Sequence, residues 1–324
     1  MSKRSGKPKI ILTQGDPNGI GPEIILKIFS DLMVIGKYDL RVAGTKKILD
    51  KYSSMLGLPS LNSDSIIEIP AKKKFNLEPG KVNKEAGRLS GTYIKKAVTH
   101  CLKKEFDAVV TLPISKDSFI KGGFKYPGHT EMLAELTGAK SPAMIMYSRE
   151  LILSPVTGHI PLKKVAGKIM PKRIIERIIG VNNSLVSDFK IRKPKIAVLS
   201  LNPHGGDGGQ LGSEEIEFII PAVNALKERG FKIEGPFAAD GYFASKNYIG
   251  FDATISMYHD QGLIPFKMIS KDKGVNFTGG INIIRTSPNH GTAFDIAGKG
   301  MANPSSTIKA IELAAKLGKN KRSC

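Results

Sequence analysis

The chain has 324 residues, more than one hydrophobic core usually serves, so two lobes are expected. Its composition, 41% hydrophobic and 24% charged, is that of a globular protein, and no apolar run is long enough to span a bilayer. With 49 basic against 29 acidic residues the net charge is +20, which points to an anionic partner, but no nucleic-acid-binding module accompanies it.

The opening segment MSKRSGKPKIILTQGDPNG is basic but carries only a three-residue apolar run, too short for a signal-peptide core. Its KIILT reads as a buried strand. The glycine turn after it does not match GxGxxG, because Gly19 and Gly21 lack a third glycine at the required offset, and it reads as structural. PEIILKIF then has helical periodicity with Pro22 in its first turn. Cys101 and Cys324 are the only cysteines, so there is no disulfide framework and no CxxC motif, and a reducing cytoplasm is the expected setting.

DAVVTLPISKD is the next strand candidate. In YPGHTEMLAELTG, His129 and Thr130 stand at a helix start, with Thr130 as cap of a helix from Glu131 that Gly138 ends. Such a start either suits an anion or is a plain cap. ELILSPVTGHI places His159 just past a strand, and PKRIIERIIGVNNSLVSDF follows as a helix. KIAVLSLNPHGGDGG places His204 in a glycine-dense loop, which feeds a helix capped by Ser213 and running to Gly230. ATISMYHDQGLIPFK breaks from an apolar strand into His259, Asp260 and, further on, Lys267. NIIRTSPNHG gives a last strand with Arg285, then Asn289 and His290. Near-continuous apolar strands alternating with helices argue for a largely parallel sheet covered on both faces, with candidate hinges near 115–128 and 270–290.

In such sheets ligands bind beyond the carboxyl ends of the strands. Three of the six histidines fall just past three different strands. Neutral imidazoles bind zinc or a similar divalent ion, and three protein ligands leave a position for substrate. The plainer alternative is that each ring only bonds its own loop.

Together TQGDPNGIGPE, PGHTEML, TGHIPL, LNPHGGDGG, GPFAADGYF, MYHDQGLIPFK, GVNFTGG and IRTSPNHGTAFDIAG resemble the 4-hydroxythreonine-4-phosphate dehydrogenase family of pyridoxal 5′-phosphate biosynthesis, in family order from about residue 10 to 300. The resemblance implies an α/β/α two-lobed fold like the isocitrate and isopropylmalate dehydrogenases, with a mostly parallel sheet and an active-site cleft between lobes. Residues 1–120 with 285–324 would form a cofactor-side lobe, and 121–284 a metal, substrate and dimerisation lobe. It implies a homodimer with a shared active site, a phosphorylated small-molecule substrate, NAD or NADP, and one divalent ion (zinc, magnesium or cobalt). Membrane and nucleic-acid partners are not expected.

By the same resemblance, His159, His204 and His259 are metal ligands. His129, Thr130, Lys267, Asn276 and Arg285 are substrate-binding positions. Lys267, Asp240 and Asp260 are the catalytic candidates. HGTAFDIAGKGMANP resembles the adenosine-binding segment of the wider group, so His290, Gly291, Thr292 and Asp295 are assigned to the cofactor. Phe294 replaces a proline of that group, and MISKDK is more lysine-rich than expected. The implied reaction is oxidation of 4-phosphooxy-L-threonine. Dehydrogenases acting on D-threonate or D-erythronate 4-phosphate would share these positions. A non-catalytic nucleic-acid binder is the alternative from another class.

Overall fold

Consecutive residues of a strand point to opposite faces, so a strand buried at every position must be covered on both. That is the state of Ala108–Thr111 and of Ala253–Ser256, each buried throughout. The molecule is described here from a computed structural model, over residues 6–126 and 128–322. Cys324 lies outside the described residues. In chain order the elements are β1 (Lys9–Thr13), α1 (Gly21–Ser30), α2 (Leu32–Lys37), β2 (Asp39–Gly44), α3 (Lys46–Leu56), β3 (Ile66–Glu68), α4 (Lys84–Leu102), β4 (Ala108–Thr111), α5 (Lys116–Lys121) and α6 (His129–Thr137). They continue with β5 (Ala143–Tyr147), β6 (Ile152–Pro155), α7 (Pro171–Ser187), β7 (Lys195–Leu199), α8 (Ile220–Glu228), β8 (Lys232–Phe237), α9 (Ala239–Ala244), β9 (Ala253–Ser256), α10 (His259–Ser270), β10 (Val275–Gly279), β11 (Ile284–Pro288) and α11 (Ser305–Arg322). No helix among the described residues is long and apolar enough to cross a membrane.

The chain divides into two compact units, residues 1–140 with 281–324, and residues 141–280. In the first unit the strands run in the order β3-β2-β1-β4-β11, all parallel. Helices α4 and α11 pack on this sheet. Gly87 lets α4 lie directly against α5, since a Cβ there would stand 1.6 Å from the Ser118 carbonyl oxygen.

In the second unit the order is β10-β5-β6-β9-β7-β8. Here β5 is antiparallel to both β10 and β6, and the remaining pairs are parallel. Leu153, Leu199, Leu263 and Phe266 share one apolar cluster with Tyr242 and Tyr248. Leu263 and Phe266 lie on α10, so this burial, about 1.5–3 kcal/mol per large side chain, anchors the helix that begins at His259.

Two helix starts differ from the sequence expectation. Helix α6 begins at His129 with Gly128 as its cap, and Thr130 lies inside the first turn. Extended backbone at Gly128 starts the helix two residues early; Gly138, in the left-handed region, ends it as expected. Ser213 makes no side-chain cap. A π-helical turn, Glu215–Ile219, precedes α8 instead. Pro221 has no N–H to give to the carbonyl four residues back, and the hydrogen-bond ladder widens there.

The turn after β1 is a hub of the first unit. Asn18 donates to Lys81 O at 2.8 Å and accepts from the Glu78 amide at 3.1 Å. Tyr52 Oη donates to the carbonyls of Pro17 and Gly19. Asp16 is fully buried, and its Oδ1 accepts from the Asn18 amide at 2.9 Å. Burial raises its carboxyl from 3.8 to about 6, against the lowering effect of hydrogen bonds from Asn18, Ser118 and Ser115. The unfolded chain releases this proton at lower pH than the folded chain, so the carboxyl costs stability as pH rises from 3.8 to about 6, and the cost is complete above that. Asp16→Asn is therefore expected to be more stable than the parent at about pH 7.5, by at most about 3 kcal/mol, with the advantage closing near pH 4. Denaturant melts at both pH values check this; a difference that does not change with pH contradicts it.

Candidate active site

Strands β6, β9 and β7 are parallel neighbours, and each ends in a segment carrying one of the three histidines. Their ends are tied together. The Thr157 hydroxyl and amide both donate to Met257 O, at 2.8 and 3.1 Å, just after β6 and β9. His159 and His259 follow two residues after these partners. Their ring centroids lie 5.2 Å apart, with the planes at 45°. His259 opens α10 and donates from Nδ1 to Asp260 Oδ1 at 2.6 Å. That bond selects the tautomer in which the Nε2 lone pair is open to a cation.

His204 follows β7 in the turn Pro203–Gly209, with φ at +52°. It is exposed, as is His159. Among the described residues, no group of three His, Cys, Asp or Glu side chains stands ready to hold a metal within one chain. The donor set nonetheless fits a divalent ion of the zinc type: two imidazoles side by side, and a third on the adjoining strand end.

The other second-unit candidates are spread over α9, α10 and β10. Asp260 and Lys267 are exposed on α10, and Asp240 is exposed in the first turn of α9. No ion pair joins Asp240 to Lys267 among the described residues. Asn276 lies on β10 opposite Met146, and its Oδ1 is buried without a hydrogen-bond partner.

In the first unit, Arg285 on β11 is almost completely buried, and its Nε and Nη2 donate to Thr111 Oγ1 at 3.0 and 2.6 Å. Burial pushes its guanidinium down to about 9, which still leaves it charged at neutral pH. His129 stands beside it. Burial first, then the Arg285 charge, lower this imidazole from 6.5 to about 3, against a backbone hydrogen bond with Leu112. The ring is thus neutral at physiological pH, and its Nε2 is buried without a partner. A buried cation and an imidazole with an unpartnered Nε2 at a helix start form a polar corner suited to an anion.

The segment assigned to the cofactor belongs to the first unit as well. His290 donates from Nδ1 to Gly291 O at 3.1 Å; burial lowers its basicity and leaves Nε2 without a partner. Gly291 and Asp295 are exposed. Thr292 O accepts from the Ile20 amide at 3.1 Å. Further along, buried Glu23 accepts from the amides of Gly300 and Ala302, while Lys27 Nζ donates to the carbonyls of the same two residues. The orphaned imidazole nitrogen and this fixed backbone fit a bound nucleotide.

Sequence reasoning passed over Thr111, Asp16, Glu23 and Gln261. In sequence Glu23 is only one residue of the segment PEIILKIF, and the turn containing Asp16 reads as structural. Only the three-dimensional placement of their partners sets them apart.

With that geometry in place, the likenesses to known proteins become specific. The family model described as pyridoxal phosphate biosynthetic protein PdxA matches residues 35–314. The 4-hydroxythreonine-4-phosphate dehydrogenase of Sulfurihydrogenibium sp. (strain YO3AOP1) is 43% identical over 316 residues, 94% of this chain and 97% of the relative. That of Aquifex aeolicus is 41% identical over 315 residues, again 94% and 97%. The crystal structure of the 4-hydroxythreonine-4-phosphate dehydrogenase from Klebsiella pneumoniae superposes with a TM-score of 0.87 at 34% identity, covering 96% of this chain and all of the other. The chain belongs to the PdxA family of pyridoxal phosphate biosynthetic proteins, and it is an oxidoreductase with the α/β fold of that family.

Proposed function

We propose that this enzyme oxidises 4-phosphooxy-L-threonine at C3 with NAD or NADP, in the presence of a divalent cation. The product, 2-amino-3-oxo-4-(phosphooxy)butanoate, is a β-keto acid and loses carbon dioxide to give 3-amino-2-oxopropyl phosphate. The observation that carries the reading is the meeting of the His159 and His259 rings at the ends of two parallel strands.

His159, His204 and His259 would hold the cation, of zinc, magnesium or cobalt type, which would supply Lewis acidity that lowers the pKa of a substrate hydroxyl. His290, Gly291, Thr292 and Asp295 would hold the nicotinamide cofactor, which accepts hydride. The protein's own groups do the rest. Asp260 fixes the His259 tautomer through the 2.6 Å bond. Lys267 or Asp260 takes the hydroxyl proton, directly or through water, with Asp240 as a further carboxylate at the site. Arg285, aimed by Thr111, would carry positive charge to the phosphate together with His129 and Thr130 of the same unit, while Lys267 and Asn276 are further substrate-binding candidates on the other unit. A dianion beside His129 favours its protonated form, so phosphate binding would draw a proton onto Nε2.

A homodimer with a shared site is part of this proposal. Leu162, Leu211 and Ile216, which follow His159 and His204 in sequence, are 73%, 48% and 53% exposed, apolar side chains that a second copy would cover. A reducing cytoplasm suits Cys101, whose thiol is buried and pushed upward by that burial, and therefore unreactive.

His204→Ala is expected to lower bound metal and turnover together; normal turnover in a metal-free variant contradicts the coordination model. Arg285→Lys loses the planar fork and should raise KM for phosphorylated substrate by about 10- to 100-fold, with little effect on a dephosphorylated analogue. Equal effects on both would remove the phosphate role. Initial rates with 4-phosphooxy-L-threonine against D-threonate and D-erythronate 4-phosphates identify the substrate, and a higher kcat/KM for either of the latter overturns the assignment.

A further inference from the structure

Gln261 lies two residues past His259 and is half-buried in the first turn of α10. Its side chain bonds neither to histidine nor to its own helix. Oε1 accepts from the Met257 amide at 2.7 Å, at the end of β9. Nε2 donates to Ser200 O at 2.6 Å, at the end of β7. One amide thus bridges the strand end that leads to His259 and the strand end that leads to His204. Only one orientation of the amide satisfies both bonds, and a carboxylate cannot, because it would turn an acceptor towards the Ser200 carbonyl.

The loop on the Ser200 side needs such support. Residues 204 to 208 all have positive φ, and two of them, His204 and Asp207, are not glycine. A left-handed conformation is unfavourable for such residues and persists only where surrounding contacts over-determine it. Buried Glu215 supplies part of that determination, with Oε1 accepting from the amides of Leu201 and Asn202 at 2.6 and 2.9 Å. A Cβ on Gly206 would stand 2.8 Å from Glu215 Oε2, so the loop is packed onto this carboxylate. Glu215 holds the loop's entrance, while Gln261 sets where that entrance stands relative to β9. Thr157 extends the same lacing from Met257 to the strand end before His159.

We propose that Gln261 is a positioning residue for the metal site: its amide fixes the entrances of the His204 loop and of the His259 helix against their strand ends, and thereby sets the affinity for the cation. The inference rests on the metal reading given above and adds to it a residue that touches neither metal nor substrate.

The test is a cobalt(II) titration of the full-length protein after chelator treatment, followed by the visible absorption of the bound ion, for the parent and for Gln261→Glu. The parent should bind cobalt with a ligand-field spectrum. Gln261→Glu should raise the cobalt Kd by about tenfold or more and change the band shape, as loss of a group that orients metal ligands does. The metal-free Tm should fall by no more than about 4 °C, the scale of one lost hydrogen bond. If the added charge unfolds the protein, Gln261→Met, similar in length and neutral, is read in the same way. An unchanged Kd in a folded variant overturns the positioning role while leaving the metal reading intact. A parent that gives no ligand-field band overturns the metal reading itself, and the inference with it.

Discussion

Everything proposed for the second unit depends on three parallel strand ends being held in step. A parallel sheet delivers the carboxyl ends of β6, β9 and β7 to one edge, but side chains on the loops beyond them can still drift. Here the drift is removed by hydrogen bonds that cross between strands: Thr157 to Met257, Met257 to Gln261, and Gln261 to Ser200. The burial of Leu263 and Phe266 then locks α10, and with it the backbone of His259. Histidines distant in sequence become neighbours because rigid elements, and not the loops alone, carry them.

The first unit solves a different problem. A cationic guanidinium is kept almost entirely out of water, at an energetic cost that burial alone imposes. Thr111 orients it, and the adjacent His129 is held neutral by the same burial and by the same positive charge. An anion arriving there would meet a guanidinium already stripped of water and would favour proton uptake by the neutral His129 ring, so both groups would gain from a bound phosphate. The nearby loop 290–303 is fixed through its backbone by Ile20, Glu23 and Lys27, which suits a cofactor held by main-chain contacts without a GxGxxG turn.

Much of this was legible in the amino-acid order, for identifiable reasons. The strands KIILT, AVVT, KIAVL and ATIS are largely apolar because both of their faces are covered, and His204 and His259 fall where polarity returns after the last two. Less legible were features set by backbone geometry. Gly128, not Thr130, starts α6, because an extended glycine begins the helix before the hydroxyl residue is reached. Pro221 turns the expected uniform helix after Ser213 into a π-helical turn followed by α8. The antiparallel strand β5 lies in a segment, AMIMY, whose periodicity does not distinguish it from a parallel strand. Gln261 and Glu215 were invisible for another reason: Gln261 reaches the Ser200 carbonyl, 61 positions away, and Glu215 the amides of Leu201 and Asn202 across an intervening loop, and no local spacing encodes that.

The most direct measurement is zinc-edge X-ray absorption on the zinc-loaded protein in its native assembly. The account predicts three imidazole nitrogen donors at about 2.0–2.1 Å, and two in the His259→Ala protein. A spectrum dominated by oxygen donors, or one unaltered by loss of His259, would contradict it.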